Sequence, residues 1–315
     1  MSINKIQYQK GYSLFDFYAQ YGTQAQCEAA LFNWRWPQGF VCIACNHTSH
    51  CYLRKRKLYQ CSLCHHQTSL TSNTLFANTK LPLTVWFLAM HLVTQSKTSI
   101  SALELKRQLG VNYKTAWSIR HKLLQGMKEY NDRSSIAGII QLDDVYWGGE
   151  LRGGKRGRGS ENKTPFVAAV SVSESGRPLQ MKMTAIDGFK YYVIEAWAKK
   201  HLCIGSEVTS DKLACFTAIT EAGCGHTRIK CGGNLELLDS KEFKWVNTMI
   251  GNVKTALIGT CHSINPKHLP RYLAEFCFRF NHRFKLRKLL PLLGEIMVST
   301  PPMPKKYLKL AEPYG

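Results

Sequence analysis

Three blocks rich in apolar and β-branched residues follow one another at 139–145, 166–172 and 179–186, and the third alternates apolar with polar positions. Blocks of this length predict three strands in a meander. Ser173-Glu-Ser-Gly-Arg-Pro178 supplies the turn between the second and third. The period then changes. Val193, Ala196, Trp197 and Lys200 are spaced helically and predict a helix over 191–201. A short strand over 207–210 runs into Asp211, and a helix is expected over 213–222. Strands first and αβα alternation afterwards predict an α/β domain with a mixed sheet.

Upstream the pattern is helical. Residues 1–35 carry aromatics at loose helical spacing, and 83–93 is an apolar helix. Ser101 and Glu104 have capping-box spacing and open a helix through Leu109, which Gly110 breaks. Asn112 caps a third helix, with Ala116, Ile119 and Leu123 on one face and Lys114, Arg120 and Lys122 left polar. Helix, glycine turn and basic helix form a helix-turn-helix pattern, which assigns Lys114 and Arg120 to DNA. A plain helical linker is the alternative. Tyr113 and Trp117 read as packing residues. The expected organisation is a helical lead-in and metal ribbon at 1–78, a helix-turn-helix-like segment at 79–132, an α/β domain at 136–290 and a proline-studded tail at 291–315.

Charge narrows the partners. Forty-two Lys and Arg face 21 Asp and Glu, a net charge of +21 that suits a polyanion, nucleic acid first. No apolar run reaches the ~18–20 residues that cross a bilayer, so no membrane is expected. Between 244 and 288 nine basic residues stand against the single acid Glu275, and Arg279 and Arg283 are assigned to DNA backbone contact. Arg54-Lys-Arg-Lys57 is a solvated face or a further phosphate contact.

Twelve cysteines without a signal-peptide core predict a reducing compartment, the cytoplasm, rather than a disulfide framework. Cys42-Ile-Ala-Cys45 and Cys61-Ser-Leu-Cys64 are separated by fifteen residues. Two such knuckles supply four thiolates for a closed, structural zinc site. Cys51, His65 and His66 are bystanders in this reading. Cys224, His226 and Cys231 are loop residues, and Cys27, Cys203, Cys215, Cys261 and Cys277 are packed thiols.

Asp143 and Asp144 interrupt the first strand, where Asp is disfavoured. A basic loop follows, with Lys155, Arg156 and Arg158. Buried carboxylates need a cation, a proton or hydrogen bonds, so the stretch reads as a divalent-metal ligand beside a phosphate-gripping loop, or as a strand ending in a polar turn. Alternation along a regular strand points Asp144 away from Asp143. Asp211 ends another strand, where ligands gather in such sheets, or else caps the following helix. Asn247 and Lys254, seven residues apart, share a helix face.

Several motifs in order carry a resemblance. Leu142-Asp-Asp-Val-Tyr-Trp-Gly-Gly149, Gly154-Lys-Arg-Gly-Arg-Gly159, Asn162-Lys-Thr-Pro165, Trp245-Val-Asn247 through Lys254, Gly259-Thr-Cys-His262 and Tyr272 to Arg283 resemble bacterial insertion-sequence transposases. Their catalytic domain is ribonuclease H-like, and the closest group (family fifteen-ninety-five) carries an N-terminal zinc ribbon. The resemblance implies Mg²⁺- or Mn²⁺-dependent cleavage and joining of double-stranded DNA at terminal inverted repeats and target, by a homo-oligomer associated with the nucleoid. It implies that Asp143, Asp211 and Asn247 hold the metal and that Lys254 assists. Related groups most often have glutamate at the third position, while the fifteen-ninety-five group is itself often of the Asp-Asp-Asn type; Asn247 thus fits an active enzyme and leaves a second reading, a domesticated DNA-binding protein without chemistry. A nuclease that cuts without joining is a third. Glu236 and Glu242 are rival third acids, and His262 matches the family without an assigned role.

Overall fold

The β-rich pattern from residue 136 onward builds one sheet in the computed structural model, which describes residues 11–149, 160, 162–229 and 242–311. The chain divides into two units, residues 1–126 with 284–315 and residues 127–283.

In the second unit β4 (Ile139–Trp147), β5 (Thr164–Val172) and β6 (Pro178–Ala185) form the expected antiparallel meander. After helix α6 (Tyr191–His201), β7 (Glu207–Asp211) pairs in parallel with β4. A 3-10 helix, Ala214–Ala222, leads to β8 (Gly225–Ile229), parallel to β7. The sheet order is β6-β5-β4-β7-β8. A mixed sheet in this order, with β5 alone running against the others, is the ribonuclease H-like arrangement.

Strand alternation decides the two faces. Ile140 and Leu142, with Val167, Ala169 and Val208, pack on Ile194, Trp197 and Ala198 of α6 and on Phe216 and Ile219 of the 3-10 helix. The other face takes α7 (Lys244–Cys261) and α8 (Leu269–Asn281). Asn281 closes that side like a strand residue: its amide oxygen accepts from Met181 N at 2.7 Å and its nitrogen donates to Met181 O at 3.0 Å.

The first unit starts with α1 (Leu14–Tyr21) and α2 (Gln24–Arg35), the latter opened by a capping box between Thr23 and Gln26. Three short antiparallel strands follow, β1 (His50–Leu53), β2 (Leu58–Cys61) and β3 (Gln67–Ser69). Next come α3 (Leu83–Gln95), α4 (Ala102–Leu109) and α5 (Tyr113–Arg133), the last continuing into the second unit. Gly110, at φ +65°, ends α4 in the left-handed conformation that glycine adopts without strain.

Residues 284–311 return to this unit. The stretch read as a tail contains α9 (Leu289–Ser299) and α10 (Lys305–Leu310). Leu289, Leu290, Leu293, Ile296 and Met297 of α9 are buried, and the helix packs on α2 and α3. Gly294 lets it approach, since a Cβ there would lie 2.2 Å from the Trp34 ring. Pro291 falls in the first turn, where its missing N–H costs nothing.

A second difference concerns β8. Residues 225–229 look like loop because only Thr227 and Ile229 favour a strand. They are held by pairing from Glu207↔Gly225 to Asp211↔Ile229, and His226 Nε2 lies 2.8 Å from Ser210 Oγ.

Candidate metal and DNA-processing site

The β4–β7 ladder runs from Ile139↔Glu207 to Gln141↔Thr209 and stops. Asp143 and Asp211 each stand two residues beyond its last pair, level with each other: Asp211 ends β7, while Asp143 lies midway along β4, which continues to Trp147 paired with β5. The end of the pairing between neighbouring parallel strands is where open α/β sheets bind ligands. Asp143, Asp144 and Asp211 each offer a carboxylate oxygen there, and these atoms all lie within 4.8 Å of one another.

Asp144 corrects the expectation from alternation. The register of β4 against β5 runs unbroken through Asp143↔Ala168 and Asp144↔Val167, so no bulge redirects it. Asp143 Oδ1 curls back to accept from Asp144 N at 2.9 Å, which brings its carboxylate beside the strand rather than straight out from it. Asp211 Oδ1 accepts from Leu213 N at 3.1 Å, an Asx turn. The capping and ligand readings of Asp211 are thus compatible, because a carboxylate has further lone pairs. All three side chains are half-buried. The donor set is hard oxygen, which suits Mg²⁺ or Mn²⁺ and not zinc.

Asn247 and Lys254 sit on α7, both half-buried. The first turn of that helix is fixed to β4: Gln141 Oε1 accepts from Trp245 N at 2.9 Å and from Val246 N at 3.1 Å. The composition gives no hint of this contact, since a glutamine within a strand carries no chemical signature. Glu242 is exposed just before α7. Glu236, Cys231 and the basic loop with Lys155, Arg156 and Arg158 lie outside the described residues.

In the other unit the four cysteines converge. Cys42, Cys45, Cys61 and Cys64 place their sulfurs within 4.8 Å of one another, with Cys42–Cys64 and Cys45–Cys61 at 3.6 Å. Tetrahedral zinc with Zn–S bonds of about 2.3 Å requires sulfurs about 3.8 Å apart. Each knuckle repeats the same backbone. Cys42 O and Cys61 O accept from Asn46 N and His65 N, and both of those residues have φ of +59°. Ala44 N and Leu63 N each lie 3.4 Å from the first sulfur of their knuckle. His65 therefore holds the turn, and the ligand set is complete without it.

The basic residues divide by what surrounds them. Lys114 is exposed on the first turn of α5, which Asn112 opens by accepting from Thr115 N at 2.8 Å. Arg120 is 1% exposed and donates to Ile100 O at 2.6 Å and Ser99 Oγ at 3.1 Å. Arg283 donates to the carbonyls of Pro178, Leu179 and Phe280 and lies over the Phe280 ring at 3.8 Å. Arg279 is 3.9 Å from Glu275. Among the described residues no helix is long and apolar enough to cross a membrane.

Comparison with known proteins agrees with both sites. Residues 22–67 match the transposase zinc-ribbon domain, and residues 135–281 match the ISXO2-like transposase domain. Over 132 residues the chain is 25% identical to an uncharacterized protein in transposable element ISH50 of Halobacterium salinarum. That stretch is 41% of this chain and 44% of the relative, so the chain spans less than half the length of the curated relative it matches. One match surrounds the cysteine cluster and the other the aspartates, so the chain carries an insertion-sequence transposase zinc ribbon followed by an ISXO2-like transposase domain.

Proposed function

We propose that this chain is an active DNA transposase, which binds the ends of its own element and carries out divalent-metal-dependent strand cleavage and strand transfer. The observation that carries the reading is the convergence of Asp143, Asp144 and Asp211 just beyond the end of the β4–β7 ladder, inside the matched transposase domain. Asp143 and Asp211 are the principal metal ligands, with Asn247 as a neutral third. Asp144 adds a carboxylate that the sequence reading set aside. Bound Mg²⁺ or Mn²⁺ would supply Lewis acidity toward a phosphodiester and its entering and leaving oxygens.

The chain's own residues do the rest. Three half-buried carboxylates fix the oxygen donors, and Lys254, two turns along α7 from Asn247, offers a cation to a phosphate near the cut. In the other unit the zinc ribbon and the exposed Lys114 at the start of α5 take up the flanking duplex. Lys155, Arg156, Arg158, Arg279 and Arg283 remain assigned to DNA contact on the sequence reading, whereas Arg120, expected there too, is buried against Ile100 O and Ser99 Oγ and serves the fold. Joining two ends calls for two copies of the chain acting together on DNA, in the cytoplasm where the element resides.

The test is strand transfer on the inverted repeats flanking the gene. Asp143→Ala and Asp211→Ala are each expected to reduce cleavage and joining to background while duplex binding, read by gel shift, is retained. Full activity in both variants would remove the catalytic assignment. Asn247 favours one rival, a DNA-binding protein that has lost its chemistry, because an amide brings one unit of negative charge less than glutamate. Wild-type protein that binds the repeats and stays silent in both Mg²⁺ and Mn²⁺ would select that rival.

A further inference from the structure

Helix α7 begins without a cap of its own. Phe243 occupies the N-cap position and contributes no side-chain hydrogen bond. The first N–H groups of a helix have no partner within it and need one elsewhere. Two of them, Trp245 N and Val246 N, donate to the same atom, Gln141 Oε1. That atom comes from the central strand of the sheet, 104 residues earlier. Gln141 is 4% exposed, and its backbone lies between Val170 of β5 and Thr209 of β7. A second tie holds the same turn: Trp245 Nε1 donates to Gly176 O, in the turn between β5 and β6, at 2.6 Å.

The position of Gln141 gives this contact its meaning. It precedes Asp143 by two residues, so the two side chains start from the same face of β4. Asn247 follows Val246 directly. A helix is stiff over its first turns, with a rise of about 1.5 Å per residue, so fixing Trp245 N and Val246 N fixes where Asn247 starts and how the helix is rotated. A side chain on the strand of one proposed ligand therefore sets the helix of another. We propose that Gln141 is a positioning residue, which holds the first turn of α7 so that Asn247 stands at a set distance from Asp143. The inference rests on the reading of Asp143 and Asn247 as metal ligands.

The acceptor oxygen is the atom that serves both helix N–H groups, and this separates the substitutions. Gln141→Leu keeps approximate volume, removes the acceptor and takes the partner from two helix N–H groups, that of Val246 buried and that of Trp245 half-buried. Gln141→Glu keeps the oxygen and places a negative charge at a helix N-terminus, where a negative charge is favoured. The experiment is calorimetric titration of the zinc-loaded, full-length protein with Mn²⁺, without DNA, alongside circular dichroism. Gln141→Leu is expected to weaken Mn²⁺ binding about 10- to 100-fold, the range for residues that orient a ligand. Gln141→Glu should restore binding to wild-type strength or better. In an Asn247→Ala background Gln141→Leu should weaken binding much less, since the group it positions is gone.

A folded Gln141→Leu protein with wild-type Mn²⁺ affinity would overturn the inference, as would a Glu variant as weak as the Leu variant. Should Gln141→Leu fail to fold, Trp245→Phe loosens the same turn through its other tie; unchanged affinity there would also overturn it. These outcomes differ from failure of the underlying reading. In that case wild-type protein takes up no Mn²⁺, or Asp143→Ala takes it up as wild type does.

Discussion

Asp144 shows that a strand's alternation alone does not decide which carboxylates meet. Its Cβ leaves β4 on the face opposite to that of Asp143, yet one oxygen of each lies within 4.8 Å of the other and of Asp211. The bond from Asp144 N to Asp143 Oδ1 is what turns the first carboxylate. If the Asp144 carboxylate adds to the field that holds the metal, removing its charge at constant shape must be felt in affinity. Asp144→Asn is expected to weaken Mn²⁺ binding about tenfold, or about 1.4 kcal/mol. Asp143→Asn should weaken it more, because the Asp143 carboxylate also depends on its own backbone contact for orientation. Titration calorimetry on the two variants decides the matter; equal, wild-type affinity for Asp144→Asn would make it a bystander.

At the scale of elements, what could be read from the sequence was whatever depends on short-range pattern. The meander of β4, β5 and β6, helix α6, the run into Asp211 and both cysteine knuckles follow from periodicity and spacing. Strand β8 escaped because an edge strand of five mixed residues has too little pattern. Helix α9 escaped because the nearby run Thr300-Pro-Pro-Met-Pro304 made the whole segment look irregular. Gln141 escaped for a different reason: its partners are in α7, and nothing local marks them. Helix α6 carries a prediction of its own. His201, at its end, is 2% exposed, and burial, with Lys182 and Lys200 nearby, pushes its pKa down from 6.5 to about 4 against the pull of Asp132. Lys182 is itself buried, its ammonium donating to Asn131 O and to Ser134 O. The unfolded chain therefore binds the His201 proton between pH 6.5 and 4 while the folded chain does not. Stability must rise with pH across that window and fall on acidification, by about 3 kcal/mol at most. Urea unfolding between pH 4 and 7 should show this slope, and His201→Gln should flatten it; a slope unchanged in the variant would place the titration elsewhere.

For the whole molecule the dominant quantity is the charge of +21. Neutralising phosphates releases counterions, so duplex affinity should fall linearly on a logarithmic salt scale, with a slope of about −0.9 per phosphate contact. The formal charge overstates the number of contacts, because burial and internal bonding remove some cations from the surface available to DNA. Lys114 and Arg120 are the sharpest pair for this argument, six residues apart on α5 and opposite in environment. Lys114 is exposed. Arg120 is buried, with hydrogen bonds to Ile100 O and Ser99 Oγ that hold the segment before α4. Lys114→Gln is expected to reduce the salt slope by about one unit on a random-sequence duplex and to leave the melting temperature unchanged. Arg120→Gln should do the reverse: it strands buried acceptors, lowers stability by about 1–3 kcal/mol and leaves the slope of the folded protein as it was. Fluorescence anisotropy from 50 to 300 mM salt, paired with thermal melts, separates the two effects. A salt slope altered by Arg120→Gln in protein of wild-type stability would mean that this guanidinium leaves its internal partners to meet phosphate, as the basic face of a recognition helix would require.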